Sequence, residues 1–396
     1  MHSVENINLF GKRIMVRVDY NLPMDDNQKI TDDNRIKATL PLINYLIKKQ
    51  AKIILMSHMG RPKGKKVVEL SLKPVAIRLS KLLNKDVGFI DDCIGENVQE
   101  KVGTLKKGEI LLLENLRFYN QEKINDLDFA KQLSLLCDVY INDAFAVSHR
   151  SHASVVGIVK FVPESTMGFL LEKELKNYQN FIKDPERPLL AIIGGLKIST
   201  KLEALKNMLN YVDKLIIGGA MANTFLKSQG INTGRSIVED DLVETAAEIL
   251  KKAKEKQINI FLPCDFVVAD TFSKDAQTKN VSIHNIPDAW MGLDIGIETC
   301  IAFTKEIKKA KTIVWNGPMG VFEMKKFKTG TQAVADAIVE SSASSVVGGG
   351  ETALAAKICN VDKKVDYIST GGGAFLYLME GKELPAVIAL ENDSFK

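Results

Sequence analysis

The stretch Leu189-Leu-Ala-Ile-Ile-Gly-Gly-Leu-Lys-Ile-Ser-Thr-Lys201 decides the fold. Leu189–Ile193 is a short apolar run of strand length, and such runs alternate along the chain with longer amphipathic segments, the pattern of parallel sheets with crossover helices. Two glycines close the strand. Glycine at a strand's carboxyl end lets the backbone turn sharply, and lets peptide N–H groups and the next helix's N-terminus approach a phosphate. Lys197 and Lys201 follow four residues apart, so if they open that helix they share a face near its positive end.

The same strand-then-glycine design recurs through the second half: Ile217-Gly-Gly219, Asn316-Gly-Pro318, Val347-Gly-Gly-Gly350 and Thr370-Gly-Gly-Gly373. One such turn is ordinary αβ sterics; five along one sheet point to a nucleotide at that edge. Neither G-x-G-x-x-G nor G-x-x-x-x-G-K-[ST] occurs. Strands are expected here at Leu189–Ile193, Lys214–Ile217, Asn259–Leu262, Thr312–Trp315, Ser345–Val347 and Tyr367–Ser369.

In the first half the expected strands are Arg13–Asp19, Lys52–Ser57, Val87–Ile90, Ile110–Leu113 and Val139–Asn142, and they end in charge instead. The ends read Val18-Asp-Tyr-Asn21, Ser57-His-Met-Gly-Arg61, Glu114-Asn-Leu-Arg117 and Asn142-Asp143, the last followed by His149-Arg150. Ligands of open α/β sheets sit outside the carboxyl ends of the strands. These ends therefore deliver Arg61, Arg117, Arg150, His58 and His149 to one rim, which Arg35 can join. Only nine of the 53 basic residues are arginine, and seven of the nine fall in the first 150 residues. A chain that uses lysine for solubility keeps arginine where a planar fork is needed for carboxylate or phosphate. Such a rim grips a small polyanion.

Bulk properties narrow the class. At 396 residues, 45% hydrophobic and 26% charged, the chain suits two soluble globular domains. A net charge of +4 is too weak to indicate nucleic-acid binding. No apolar run reaches bilayer length, and the N-terminus lacks the layout of a secretion signal. Five scattered cysteines with no Cys-x-x-Cys pair point to reduced thiols, a cytoplasmic setting and no zinc site. Met167–Ile182, with Leu170, Leu171, Leu175, Tyr178 and Ile182 at helical spacing, is the expected connector, broken by Pro185 and Pro188. A polyanion site in one half and a nucleotide edge in the other imply phosphoryl transfer between a small polyanion and a nucleotide.

Ordered motifs over nearly the whole length resemble the phosphoglycerate kinase family. They are Arg17-Val-Asp-Tyr-Asn-Leu-Pro23, Ser57-His-Met-Gly-Arg-Pro62, Glu114-Asn-Leu-Arg-Phe118 and Asn142-Asp-Ala-Phe145 with His149-Arg150. Gly194-Gly-Leu-Lys197, Met221-Ala-Asn-Thr-Phe225, Trp290-Met-Gly-Leu-Asp-Ile-Gly296, Trp315-Asn-Gly-Pro318, Gly348-Gly-Gly-Glu-Thr352 and Ser369-Thr-Gly-Gly-Gly-Ala374 follow in order. The resemblance implies an α/β fold of two doubly wound parallel-sheet (Rossmann-like) domains joined by a connecting helix and hinge. Residues 1–166 with 386–396 would bind phosphoglycerate, 167–185 would link, and 186–385 would bind the nucleotide.

It also implies the glycolytic conversion of 1,3-bisphosphoglycerate and ADP to 3-phosphoglycerate and ATP, reversibly, with Mg²⁺, by a monomer whose domains close about the connector. Asp19, Asn21, Arg35, His58, Arg61, Arg117 and Arg150 would bind phosphoglycerate. Lys201, Gly292, Asn316, Glu323, Gly349, Gly350, Glu351 and Thr352 would bind the nucleotide, with Glu351 toward the metal, while Lys197 and Arg35 would stabilise the moving phosphoryl group. The acceptor in the reverse direction is a carboxylate, ionised at neutral pH with an ordinary pKa of about 4, so no general base is needed. Four positions depart from the family's usual pattern: Glu351 for aspartate, Leu196 and Phe375 for small residues, and Ala146 for glycine. A dehydrogenase on a similar fold and a non-catalytic binding protein are the alternatives. The missing dinucleotide fingerprint counts against the first, and the complete set of arginines with Lys197 against the second.

Overall fold

The structure, a computed structural model, describes residues 3–393. The chain divides into two compact units, the first ending at Leu175 and resuming at Glu383, the second running Lys176–Lys382.

In the first unit β1 (Arg13–Arg17), β2 (Lys52–Met56), β3 (Val87–Phe89), β4 (Ile110–Leu112), β5 (Val139–Asn142) and β6 (Ser165–Met167) form one sheet in the order β3-β4-β2-β1-β5-β6, every pair parallel. Ile14, Val16, Ile53, Leu55, Ile110, Leu112, Val139 and Ile141 alternate onto one face and join a single apolar core. Met15, Ile54, Leu111 and Tyr140 take the other face and are equally buried. Both faces are covered, which is why the strands read as unbroken apolar runs. Each such side chain contributes about 1.5–3 kcal/mol on burial.

The second unit has nine strands: β7 (Leu189–Ile193), β8 (Lys214–Ile217), β9 (Asn259–Phe261), β10 (Asp265–Ala269), β11 (Thr278–Ser282), β12 (Met291–Ile295), β13 (Thr312–Asn316), β14 (Ser344–Val347) and β15 (Tyr367–Ile368). Six of them make a parallel sheet ordered β15-β14-β13-β7-β8-β9, and three make an antiparallel sheet ordered β11-β10-β12. The parallel sheet is again buried on both faces, with Leu190, Ile192, Ile313 and Trp315 on one and Ala191, Ile193 and Val314 on the other.

Each parallel sheet reverses its strand order beside its central strand. In the first unit the reversal lies between β1 and β5, where Arg17 pairs with Asn142. In the second it lies between β7 and β13, where Ile193 pairs with Asn316. The crevice outside the strand ends at such a reversal is where open α/β sheets bind ligands.

Several expectations need adjustment. Strands β6 and β10–β12 were not foreseen: β6 is three residues without an apolar run, β11 (Thr-Lys-Asn-Val-Ser) is polar and mostly exposed, and glycine and aspartate interrupt β12. The connector is α-helical over Phe169–Tyr178, and Gln179–Lys183 widens into a π-helical turn before the prolines. The division between units falls inside this helix. Its first turn is capped by Asp143, whose Oδ1 accepts N–H bonds from Leu170 (2.7 Å) and Leu171 (3.4 Å). The C-terminal helix Pro385–Asp393 belongs to the first unit, where Ala386 and Leu390 are fully buried and the Ala386 N–H donates to the Ser148 carbonyl.

Candidate active site

At the first sheet's edge the residues after β1, β2 and β4 are tied together by hydrogen bonds. Arg35, from the helix Asn34–Lys48, donates through Nη1 to Asp19 Oδ2 at 2.6 Å and to the Asn21 carbonyl at 3.1 Å. Asn21 Oδ1 in turn accepts from the Gly60 N–H at 2.9 Å, and the Gly60 carbonyl accepts from Arg117 Nη1 at 2.7 Å. Asn115 holds the next layer, its amide donating to the Met59 and Leu70 carbonyls while its oxygen accepts from the N–H groups of Met59 and Arg117. Burial, with Arg17 and Arg150 nearby, pulls Arg117 down to about 10, so it stays charged at neutral pH. Its Nε is buried without a partner among the described residues, a donor left for a ligand or solvent. Arg61 and Arg150 are exposed.

Behind this rim lies a buried ion pair. Arg17, at the end of β1, is fully buried; its Nε donates to Ser154 Oγ at 2.9 Å, its Nη1 to the Val18 carbonyl, and its Nη2 lies 3.2 Å from His58 Nδ1. Glu122, also fully buried, sits 4.0 Å from Arg17 and accepts from the Ser154 N–H (2.9 Å) and hydroxyl (2.6 Å). Burial works to raise the Glu122 carboxyl, but His152, Arg17 and Ser154 outweigh it and hold it low. Removing either partner would strand a buried charge at a cost of about 3–5 kcal/mol. His58 is pushed well below the ordinary histidine range by burial first, and then by the fields of Arg17 and Arg117. His149 falls to about 4, by burial and by Arg150.

The second edge is built from backbone. The turns after β7, β8 and β13 touch one another: the Gly219 N–H donates to the Met319 carbonyl, and the Met221 N–H to the Gly195 carbonyl. A side-chain carbon on Gly317, which sits at φ +109°, would lie 2.1 Å from the Gly194 oxygen. Only glycine fits there. Lys201 Nζ bridges this junction, donating to the Gly194 carbonyl at 2.6 Å and the Asn316 carbonyl at 3.0 Å. Burial lowers it to about 8, against the opposing pull of Glu351. Asn316 Nδ2 donates to the Gly348 carbonyl at 3.0 Å, and Thr352 Oγ1 accepts from the Gly317 N–H at 2.7 Å. Gly349, at φ +94°, caps the helix Gly350–Ile358, so Glu351 stands in that helix's first turn. A cavity of about 260 Å³ opens beside these turns, walled by Gly195, Gly219, Gly292, Glu323 and Glu351. The exposed apolar side chains of Leu196, Ile237 and Phe272 line it too.

Lys197 and Lys201 do not share a helix face. The helix begins at Leu202 with Lys201 as its N-cap, and Lys197 is exposed in the turn before it. Two glycines let the chain fold back before the helix can start, so one lysine is drawn inward to backbone oxygens and the other is left outside. Phe375 is buried core beneath Gly348. Sequence reasoning missed Arg17, Glu122 and Ser154; the one signal was an arginine at the end of an otherwise apolar central strand. The other candidates fall into two groups, Asp19, Asn21, Arg35, His58 and Arg117 in one network, and Lys201, Asn316, Gly349, Gly350 and Thr352 around one junction.

Known proteins match this chain over nearly its whole length. A sequence profile described as phosphoglycerate kinase matches residues 4–382. The chain is 60% identical over 391 residues to a phosphoglycerate kinase of Desulforapulum autotrophicum, covering 99% of this chain and all of that one. It is 53% identical to that of Desulfotalea psychrophila over the same shares. Among solved structures, the phosphoglycerate kinase of Coxiella burnetii superposes with a TM-score of 0.90 at 41% identity, covering 99% of each chain. That of Pyrococcus horikoshii gives 0.85 at 35% identity, covering all of both.

Proposed function

The chain belongs to the phosphoglycerate kinase family, and on that footing we propose that its two sheet edges hold the two substrates of one phosphoryl transfer. The enzyme interconverts 1,3-bisphosphoglycerate and ADP with 3-phosphoglycerate and ATP. Neither a dehydrogenase nor a non-catalytic binding protein finds support among its relatives. The carrying observation is the pairing, in one chain, of an arginine–histidine rim outside the first sheet's strand ends with a glycine junction bridged by lysine at the second sheet's strand-order reversal.

Asp19, Asn21, Arg35, His58, Arg61, Arg117 and Arg150 hold phosphoglycerate. Asp19 orients Arg35 and offsets part of the rim's charge, while Asn21 fixes the Gly60 turn against Arg117. Gly292 and Glu323 line the nucleotide cavity, and Lys201, Asn316, Gly349, Gly350 and Thr352 shape the phosphate end, where the N-terminus of Gly350–Ile358 adds its dipole. In the ATP-forming direction an ADP β-phosphate oxygen attacks the acyl phosphate; in reverse the phosphoglycerate carboxylate attacks the γ-phosphorus of ATP. Neither nucleophile must lose a proton. The protein's work is alignment and charge cancellation, supplied at the moving group by Lys197 and Arg35. With the substrates' partners in separate units, transfer calls for closure about the connecting helix, which also excludes water.

The donor set fits a magnesium–nucleotide complex. Glu323 and Glu351 are exposed carboxylates on the cavity, whereas the third, Asp294, is buried and accepts from the Ile295 and Gly330 N–H groups. Glu351 would hold the ion, whose chemistry is to neutralise phosphate oxygens. The described residues contain no helix long and apolar enough to cross a membrane. A cytoplasmic setting, which the five scattered cysteines favour, and a monomeric state are proposed, the latter checked by light scattering.

Coupled turnover of 3-phosphoglycerate and ATP tests the assignment beside Lys197→Ala. The expected result is a kcat lower by about 10²–10³ with both KM values little changed, the pattern of a lost transition-state contact. An equal kcat in the two proteins would remove Lys197 from the chemistry.

A further inference from the structure

We propose that Arg17 is a positioning residue that fixes His58 as the neutral tautomer protonated on Nε2, so that the ring presents phosphoglycerate with one directed hydrogen-bond donor. The inference rests on His58 belonging to the phosphoglycerate rim. A guanidinium has N–H donors and no acceptor, so the 3.2 Å contact from Arg17 Nη2 requires a lone pair on His58 Nδ1. Asp19 Oδ1 faces the same nitrogen and would demand the opposite tautomer, but it lies 3.7 Å away, beyond hydrogen-bond range. Its oxygens are engaged elsewhere, by Arg35 at 2.6 Å and by the Asn21 N–H at 3.2 Å.

Arg17 cannot turn aside. It is fully buried, with Nε on Ser154 and Nη1 on the Val18 carbonyl, and Glu122 balances its charge from 4.0 Å. The charged and titratable groups around His58 are Arg17 and Asp19 at the end of β1, Arg35 from its helix, Arg117 after β4, and His152 beside Glu122. Burial acts first, and these cations and His152 after it, all against an imidazolium. The ring therefore contributes direction to the rim and adds no charge. Which nitrogen bears the proton is set from behind, by a residue the substrate does not reach.

The test is two-bond ¹H–¹⁵N spectroscopy on histidine-labelled enzyme without substrate, between about pH 8 and pH 5, where an ordinary histidine titrates. Comparison with His58→Asn identifies the ring. The expected spectrum shows Nε2 protonated, Nδ1 bare, and no titration. In Arg17→Met combined with Glu122→Gln, which leaves no lone buried charge, the ring should populate the Nδ1–H form or begin to titrate. KM for 3-phosphoglycerate should then rise about tenfold, the worth of one charge-assisted hydrogen bond, with KM for ATP unchanged. A native ring protonated on Nδ1, or titrating in this range, overturns the proposal even if the double variant does not fold. So does a folded double variant with the native tautomer. Addition of 3-phosphoglycerate separates the two claims: an Nε2–H ring whose signals the substrate leaves unmoved overturns the assignment of His58 to the rim, and the positioning role with it.

Discussion

The two ligand edges solve one problem with different materials. In the proposed assignment the first unit meets an anion with side chains, Arg35, Arg61, Arg117 and Arg150, in front of a buried Arg17–Glu122 pair. The second meets it with backbone, three strand ends packed so closely that Gly317 leaves no room for a methyl group, and with a lysine bridging their carbonyls. The contrast teaches where each edge is brittle. A side-chain rim loses one contact per substitution, whereas a backbone junction fails as a unit.

Gly317→Ala should therefore break the contrast open most widely. The new carbon would sit 2.1 Å from the Gly194 oxygen and 2.7 Å from Lys201 Nζ, at a φ of +109°. Strain of that kind costs about 1–3 kcal/mol before the clash is counted. The expected outcome is at least a tenfold loss of ADP affinity and a lower melting temperature, with 3-phosphoglycerate affinity intact. Calorimetry with each ligand reads both arms, and an equal loss on both would mean that the edges are not independent.

Arg117→Ala is the converse, a loss confined to one side chain's contacts. It removes one charged donor and frees the Gly60 carbonyl, so 3-phosphoglycerate affinity should drop about 10- to 100-fold while ADP binds as before. Arg117→Lys should recover only part, because an ammonium cannot reproduce the planar fork. Full recovery would reduce the arginine rim to net charge alone.

The edges should also part company with pH. Lys201 is lowered by burial to about 8, so it is charged below that pH and loses its charge above it. ADP affinity should weaken as pH rises from about 7 to about 9, and 3-phosphoglycerate affinity should not, since Arg117 at about 10 keeps its proton over most of that window. Lys201→Arg, charged throughout, should flatten the ADP profile. A profile that stays sloped in Lys201→Arg would place the titrating group elsewhere.

The charged strand ends of the first unit were legible in sequence, because charge at the ends of apolar strands is conspicuous wherever a parallel sheet imposes hydrophobic runs, and Asp19, Asn21, Arg35 and Arg117 do meet in one network. Their buttress was not legible. Glu122 lies in a short polar segment, Asn120–Lys123, and nothing local says that it turns inward to meet Ser154 and Arg17. The backbone edge was legible as a row of glycines, but its contacts were not, since close approach of β7, β8 and β13 is a property of sheet order. The condition for Lys197 and Lys201 to share a face, that both open the helix, is not met for the same reason: the helix starts only at Leu202, beyond the glycine turn. β11 escaped notice because a polar strand with little buried surface carries almost no hydrophobic signal.

Glu351 is the place where the backbone edge borrows a side chain, and there the smallest effect is expected. Its carboxylate stands in the first turn of Gly350–Ile358, favoured by that helix's dipole, and its field raises Lys201 against the pull of burial. Glu351→Asp keeps the charge and shortens the reach by one methylene, so kcat should stay within about threefold of the parent and only the Mg²⁺ concentration for half-maximal rate should move. Glu351→Gln removes the charge, and with it the support for the Lys201 proton. The pH at which ADP affinity begins to fail should then shift downward, a readout that needs no turnover. If Glu351→Gln leaves both that pH and the Mg²⁺ requirement where they were, the carboxylate serves neither lysine nor metal, and the second edge is backbone and Lys201 alone.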